Sequence, residues 1–310
     1  MITPVRMLFR GFIIAWMLSL LYQVGHAQPL KALEQPFTKY RVSTTQCTKL
    51  KHFTGSVIFV PDNAFALEGE NRPDSVDLYY REMHSPLDMV IHDLSMVTQL
   101  MGRTFLLQSN GMFEIWAKHA SDTIQIHENR SIEVRMAVKP TNLDPRMEGF
   151  RYDSESNTWA SYANRLGHLK VNTNDEDLWG SSPVQNTFST WGDEELLDDP
   201  VEREAFQALE IYDFGLYNYD RIIDGEEFVP VKAEFIAKNG SPVSSKIFVA
   251  YEELNSVIYF YPSQWENQFT LIKGRPYELF AISDQGNIFS LQQYPDLEAI
   301  AGKSHVFQLV

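Results

Sequence analysis

From Thr54 onward, apolar side chains recur at every second position in short runs, and each run stops at a cluster of Gly, Pro, Asn, Asp or Ser. Successive side chains of a strand point to opposite faces, so this spacing constrains the chain to half-buried β-strands joined by turns. In "SIEVRMAV" Ile132, Val134, Met136 and Val138 share one face and Glu133 and Arg135 the other. "GMFEIWAKHA" divides into Met112, Glu114, Trp116 and Lys118 against Phe113, Ile115 and Ala117. "VDLYYREM" sets Val76, Leu78, Tyr80 and Glu82 against Asp77, Tyr79 and Arg81, and "DTIQIH" ends at His127. "LDMVIHDLSMV" fits a strand or a short helix, because Leu87, Val90, Ile91 and Leu94 also satisfy the helical period.

The stretch Ser109–Pro140 also gathers Glu114, His119, His127, Glu128 and Glu133, the raw material of a metal site or an acid/base pair. The alternation assigns Glu114, Glu133 and Arg135 to the solvated side of an antiparallel sheet. Glu133 with Arg135, and Glu114 with Lys118, then read as same-face charge pairs.

The chain divides by composition. "MITPVRMLFRGFIIAWMLSLLYQVGHAQPL" has Arg6 and Arg10, an apolar run from Gly11 to Tyr22, and small residues up to Ala27. That order reads as a secretory signal peptide over 1–27, with an uncleaved anchor as the alternative. The run is short for a full span, which takes about 20 residues. Residues 28–53 form an N-terminal segment, 54–163 a first β-domain, 164–206 an acidic linker and 207–310 a second β-domain. The linker carries Trp179 and Trp191 and closes in a short helix near 193–208. "KIFVAYEE", "SVIYFYP", "QFTLIKG", "YELFAIS" and "HVFQLV" continue the strand spacing to the end. The expected architecture is all-β: two β-sandwiches joined by an acidic linker.

A net charge of −15 argues against a nucleic-acid partner, which needs a basic face to neutralise phosphates. The single cysteine, Cys47, rules out an internal disulfide, so stability must come from the core. The G-x-S-x-G, H-E-x-x-H and Gly-rich phosphate-loop spellings are missing from the sequence.

Three groups of residues remain as candidate sites. Flat aromatics on a sheet can stack on sugar rings or fill a protein interface, which nominates Tyr217, Tyr219, Tyr259, Tyr261 and Trp265. Acidic loops can hold calcium, which needs six to eight oxygens. "NYDRIIDGEE" offers Asp220, Asp224, Glu226 and Glu227, and "NTNDEDLWG" offers Asn172, Asn174, Asp175, Glu176 and Asp177; neither has helix-loop-helix spacing. His84, His92 and Asp93 would serve a hydrolase if the fold brought them into one cleft.

"GSVIFVPDNAF", "VDLYYREM", "LDMV", "SNGMFEIWAK", "IEVRMAV" and "MEGFRYD" resemble, in that order, a module of exported bacterial envelope proteins similar to the ZU-type β-sandwich. "FGLYNYDRI" resembles the G-[WL]-x-N-C-D-R-like opening of its companion β-domain, a smaller immunoglobulin-like sandwich. The resemblance runs from about Thr54 to the C-terminus, with the linker unmatched. Asn110 stands where a first Gly is common, and Tyr219 stands where the companion motif has Cys, which removes a thiol role there. Some ZU-type domains cut themselves at a His-[FL]-Ser step; here His52-Phe53-Thr54 precedes the first matched strand, so self-cleavage is not expected. The resemblance implies a non-catalytic binding or scaffold protein of the periplasm or cell surface. Its partner would be another envelope protein or a surface glycan, with no membrane span after signal removal and calcium as the one cofactor to test.

Overall fold

The alternating runs pair into sheets in this computed structural model, which describes residues 30–67, 73–138, 146–162, 168–171 and 205–310, with side chains described except at 168–171 and 205–206. The signal-peptide reading of 1–27 and most of the linker reading of 164–206, with Trp179, Trp191 and the candidate loop Asn172–Asp177, lie outside the described residues. Nearly all regular structure is strand, so the all-β class is established. Among the described residues no helix is long and apolar enough to cross a membrane.

The described residues divide into two compact units. The larger comprises residues 35–85 and 96–224. Its strands are β1 (Thr38–Ser43), β2 (Thr48–Lys51), β3 (Val57–Val60), β4 (Phe65–Ala66), β5 (Ser75–Met83), β6 (Val97–Leu100) and β7 (Arg103–His119). They continue through β8 (Asp122–Ile126), β9 (Ile132–Val138), β10 (Glu148–Asp153), β11 (Thr158–Ser161), β12 (His168–Val171), β13 (Ala205–Ile211) and β14 (Gly215–Ile222). One sheet runs β1-β5-β7-β14-β10-β11-β6, and a second runs β12-β13-β9-β3-β2. The core lies between them. Val76, Leu78, Tyr80, Phe113, Ile115 and Ala117 from the first sheet meet Ile58, Ile132, Val134, Met136 and Leu209 from the second. These are the apolar faces that the alternation assigns.

β7 organises this unit. One edge of it pairs first with β6 and then with β5, and the other with β14 and then with β8. Because β6 also pairs with β11, the strands β6, β7, β14, β10 and β11 close into a ring. β13 and β14 begin where the composition places the second domain, yet they pair with β9, β7 and β10 of the first. The division between units falls instead at 224/225. Residues 205–208, the end of the expected linker helix, are strand. The segment 28–53 supplies β1 and β2, the terminal strands of the two sheets.

The smaller unit comprises residues 30–34, 86–95 and 225–310 of the described chain. It holds β15 (Phe228–Pro230), β16 (Lys232–Ala237), β17 (Ile247–Tyr251), β18 (Ser256–Phe260), β19 (Thr270–Ile272), β20 (Glu278–Ile282), β21 (Ile288–Ser290) and β22 (Ser304–Leu309). A four-stranded sheet in the order β18-β17-β20-β21 accompanies two ladders, β15 with β19 and β16 with β22, the last parallel. Phe235 stacks on Phe307 at 5.1 Å and meets Trp265 and Phe269 edge-on at 4.8 and 5.3 Å. The ambiguous run 87–97 resolves as a helix, Pro86–Ile91, that packs on β17 and β18 and buries Met89, Val90 and Ile91.

Candidate functional site

The sandwich carries a polar cluster on β5 and on the turn between β2 and β3. β5 points Val76, Leu78 and Tyr80 into the core and continues the same face with Glu82, which is 2% exposed. Burying a carboxylate is costly unless hydrogen bonds replace its water. Tyr80 Oη donates to Glu82 Oε1 at 2.6 Å, His84 Nε2 donates to Oε2 at 2.7 Å, and the Ser56 hydroxyl donates as well. Burial alone would raise the Glu82 carboxyl, but the hydrogen bonds from His84, Ser56 and Tyr80 outweigh it and hold its pKa below the ordinary glutamate value. Ser56 Oγ also accepts from Ala137 N at 2.8 Å, which ties the cluster to β9.

Two imidazoles flank the carboxylate. His52 is buried, hydrogen-bonded to Tyr40 Oη through Nδ1 at 2.7 Å and packed edge-on against Tyr80 at 4.9 Å. Its burial lowers its pKa below 6.5, with Glu82 opposing and His84 adding to the shift. His84 is partly exposed and lies against Gly111, where a Cβ would stand 2.9 Å from Nδ1. Gly111 has φ +121°, so both its backbone and the imbedded imidazole require glycine there. Above this cluster stands Phe53, 82% exposed, its ring 4.2 Å from that of His52. The aromatic is held from below by a side chain that is itself buried and hydrogen-bonded.

The residues nominated by sequence fall elsewhere. Tyr217 and Tyr219 are buried in the sandwich core; their hydroxyls donate to the Asp213 and Ala208 carbonyls, and burial raises both pKa values. Trp265 is buried too, its Nε1 donating to the Phe260 carbonyl at 3.1 Å. None of these three rings presents a face to a ligand. Tyr217 and Tyr219 fill the core because the alternation of "YNYD" turns them inward, and Trp265 is turned in by the short 3-10 turn Pro262–Gln264 that follows β18. Tyr261 is 45% exposed, and Tyr259 lies beside it at 5.6 Å. The Lys246 ammonium sits over both rings, at 4.6 Å from Tyr259 and 5.9 Å from Tyr261, and is ion-paired with Asp93.

The calcium set is not assembled around one point. Asp220 is fully buried on the face of β14 turned away from the sandwich core. Its Oδ2 accepts from Asn218 Nδ2 at 2.6 Å and its Oδ1 has no partner. Burial raises its pKa well above 3.8 against a lowering by the Ser109 hydrogen bond, which favours the neutral carboxyl. Asp224 is exposed, and Glu226 binds the Arg275 guanidinium at 2.7 Å. Among the described residues no group of three His, Cys, Asp or Glu side chains is arranged to hold a metal. Of the hydrolase set, His84 belongs to the larger unit, with Glu82 as its carboxylate, and His92 and Asp93 belong to the smaller.

The outer face of the β1-β5-β7 sheet bears a second aromatic group. Tyr79 and Trp116 stack at 4.0 Å, Phe37 meets Trp116 edge-on at 5.4 Å, and Arg81 lies over Phe37 while pairing with Glu114 at 2.6 Å. Lys118, expected to pair with Glu114, instead covers Trp116 at 4.6 Å. These rings are satisfied by one another and by cations, and they pin the segment before β1 to the sheet.

No family model matches the chain, and the curated proteins contain no match to it.

Proposed function

We propose that the chain is an exported cell-envelope or surface protein that works as a binding or scaffold component through protein–protein contacts. The observation that carries the reading is Phe53. A phenylalanine left in water forgoes about 1.5–3 kcal/mol of burial, and aromatic side chains fixed in place are the usual anchors of interfaces. Phe53 stands on a turn between two strands, and its contact with His52 limits the entropy it would lose on binding. The ZU-type resemblance and the leader-like residues 1–27 point the same way, toward an envelope location and a structural or binding role.

The test is affinity capture from envelope extract with tagged residues 28–310, comparing the parent chain with F53A. A single stoichiometric envelope protein held by the parent and lost by F53A, with the melting temperature unchanged, is the expected result. Equal recovery by both chains would remove Phe53 as the anchor.

A further inference from the structure

His52 and Phe53 sit on one tight turn between β2 and β3, and the bonds that close it belong to His52. The His52 N–H donates to the Ser56 carbonyl at 2.7 Å, and the His52 carbonyl accepts from Gly55 N at 3.0 Å. Three rings surround the imidazole: Tyr40 at 6.3 Å, Tyr80 at 4.9 Å and Phe53 at 4.2 Å between centroids. His52, 2% exposed, thus seats the turn on the sandwich while its neighbour Phe53 stands in water.

A proton on this imidazole finds little to compensate its charge. Residues 35–61, which build β1, β2 and β3, contain no Asp or Glu. The carboxylate that faces His52 is Glu82 of β5, and it is already shared among His84, Ser56 and Tyr80. Tyr40 of β1 and Tyr80 of β5 are pushed above 10 by burial, so both phenols stay neutral wherever His52 titrates. His84 of β5 adds a like charge once it is protonated. Burial outweighs the attraction of Glu82 and lowers the enclosed imidazole below 6.5. With the turn open, the imidazole takes its proton near the ordinary value of about 6.5. Acid therefore favours the open turn, and the preference sets in as pH falls below 6.5.

We infer that His52 is a proton-operated latch on the Phe53 turn: neutral, it seats residues 52–56 on the sandwich, and protonated, it lets the turn lift and Phe53 lose its fixed position. A partner gripped through Phe53 at neutral pH is then released in acid. The inference rests on the reading of Phe53 as a binding anchor and adds how that grip is regulated.

The experiment is NMR on residues 28–310 from about pH 7.5 to about pH 5, following the His52 and His84 imidazoles and the amide exchange of His52 and Gly55. After correction for intrinsic exchange, both amides are expected to exchange about threefold or more faster at the acid end, tracking the His52 titration. H52Q, which keeps a side-chain acceptor, is expected to show no such dependence. The envelope protein captured at neutral pH is expected to elute in acid from the parent and to stay on H52Q. Exchange that ignores pH in the parent overturns the latch, and so does loosening that follows His84 or persists in H52Q. A captured protein that stays on the parent in acid, although F53A loses it, overturns the release. If exchange ignores pH while F53A loses the captured protein, the latch falls and the Phe53 reading stands. If exchange follows His52 while F53A keeps that protein, the latch stands and the Phe53 reading falls.

Discussion

At the scale of single residues, two buried carboxyls act in opposite directions. Glu82 has its pKa depressed in the folded protein, so its ionised network contributes stability above the ordinary value of 4.5 and loses it as pH falls through the lower folded value. His52, depressed from 6.5, likewise contributes stability that is complete above that pH and is lost on acidification. E82Q should lower stability at neutral pH by about 1–3 kcal/mol and flatten the acid limb of the curve, as read by urea melts across pH. Asp220 has its pKa raised, so its contribution is present below 3.8 and is lost as pH rises through the folded value. D220N should therefore raise the melting temperature at pH 7 and change little in acid. A melting temperature at pH 7 that stays put or drops in D220N would show that burying the Asp220 carboxyl costs the fold nothing at that pH. Glu82 was visible in the sequence as a charge on the apolar face of "VDLYYREM". Asp220 was not, because "NYDRIIDGEE" reads as an acidic loop, and the ring of β6, β7, β14, β10 and β11 around it comes from distant segments.

At the scale of elements, periodicity tells which side chains share a face but not which strands are neighbours. Phe113, Ile115 and Ala117, and Ile132 through Val138, lie in the core as their alternation requires. The place of β14 between β7 and β10 has no counterpart in local pattern, so "GLYNYDRI" looked like the opening of a new domain. The same limit hid the site. His52 and Phe53 fell in a segment set apart before the first matched motif, although the acid-free run around them was a legible signal. Gly111 shows how closely the elements are fitted, since a methyl group there would meet both His84 Nδ1 and Met136 Cε, the latter at 3.3 Å. G111A should destabilise the sandwich by about 1–3 kcal/mol and expose His84, readable as faster imidazole modification by an acylating reagent. An unchanged modification rate would mean that His84 is not seated on Gly111.

At the scale of the whole molecule, the smaller unit is not one continuous piece of sequence. Its helix, Pro86–Ile91, is delivered from the connection between β5 and β6, and Met89, Val90 and Ile91 are buried there. Each such side chain is worth about 1.5–3 kcal/mol when buried. Residues 225–310 expressed alone should therefore melt early or aggregate, and a peptide of residues 86–95 added in trans should raise the melting temperature. A fragment that melts like the parent unit would show that the helix is dispensable.

The central position of β14 also sets a schedule. As the chain emerges from the ribosome, β7 and β10 must wait with unpaired edges until residue 222 has been made, because the strand that joins them comes last. Pairings this distant in sequence are slow to find. A nascent chain halted before Gly215 is then a protease-sensitive species, and one extended past Ile222 is the first that can close its sheet.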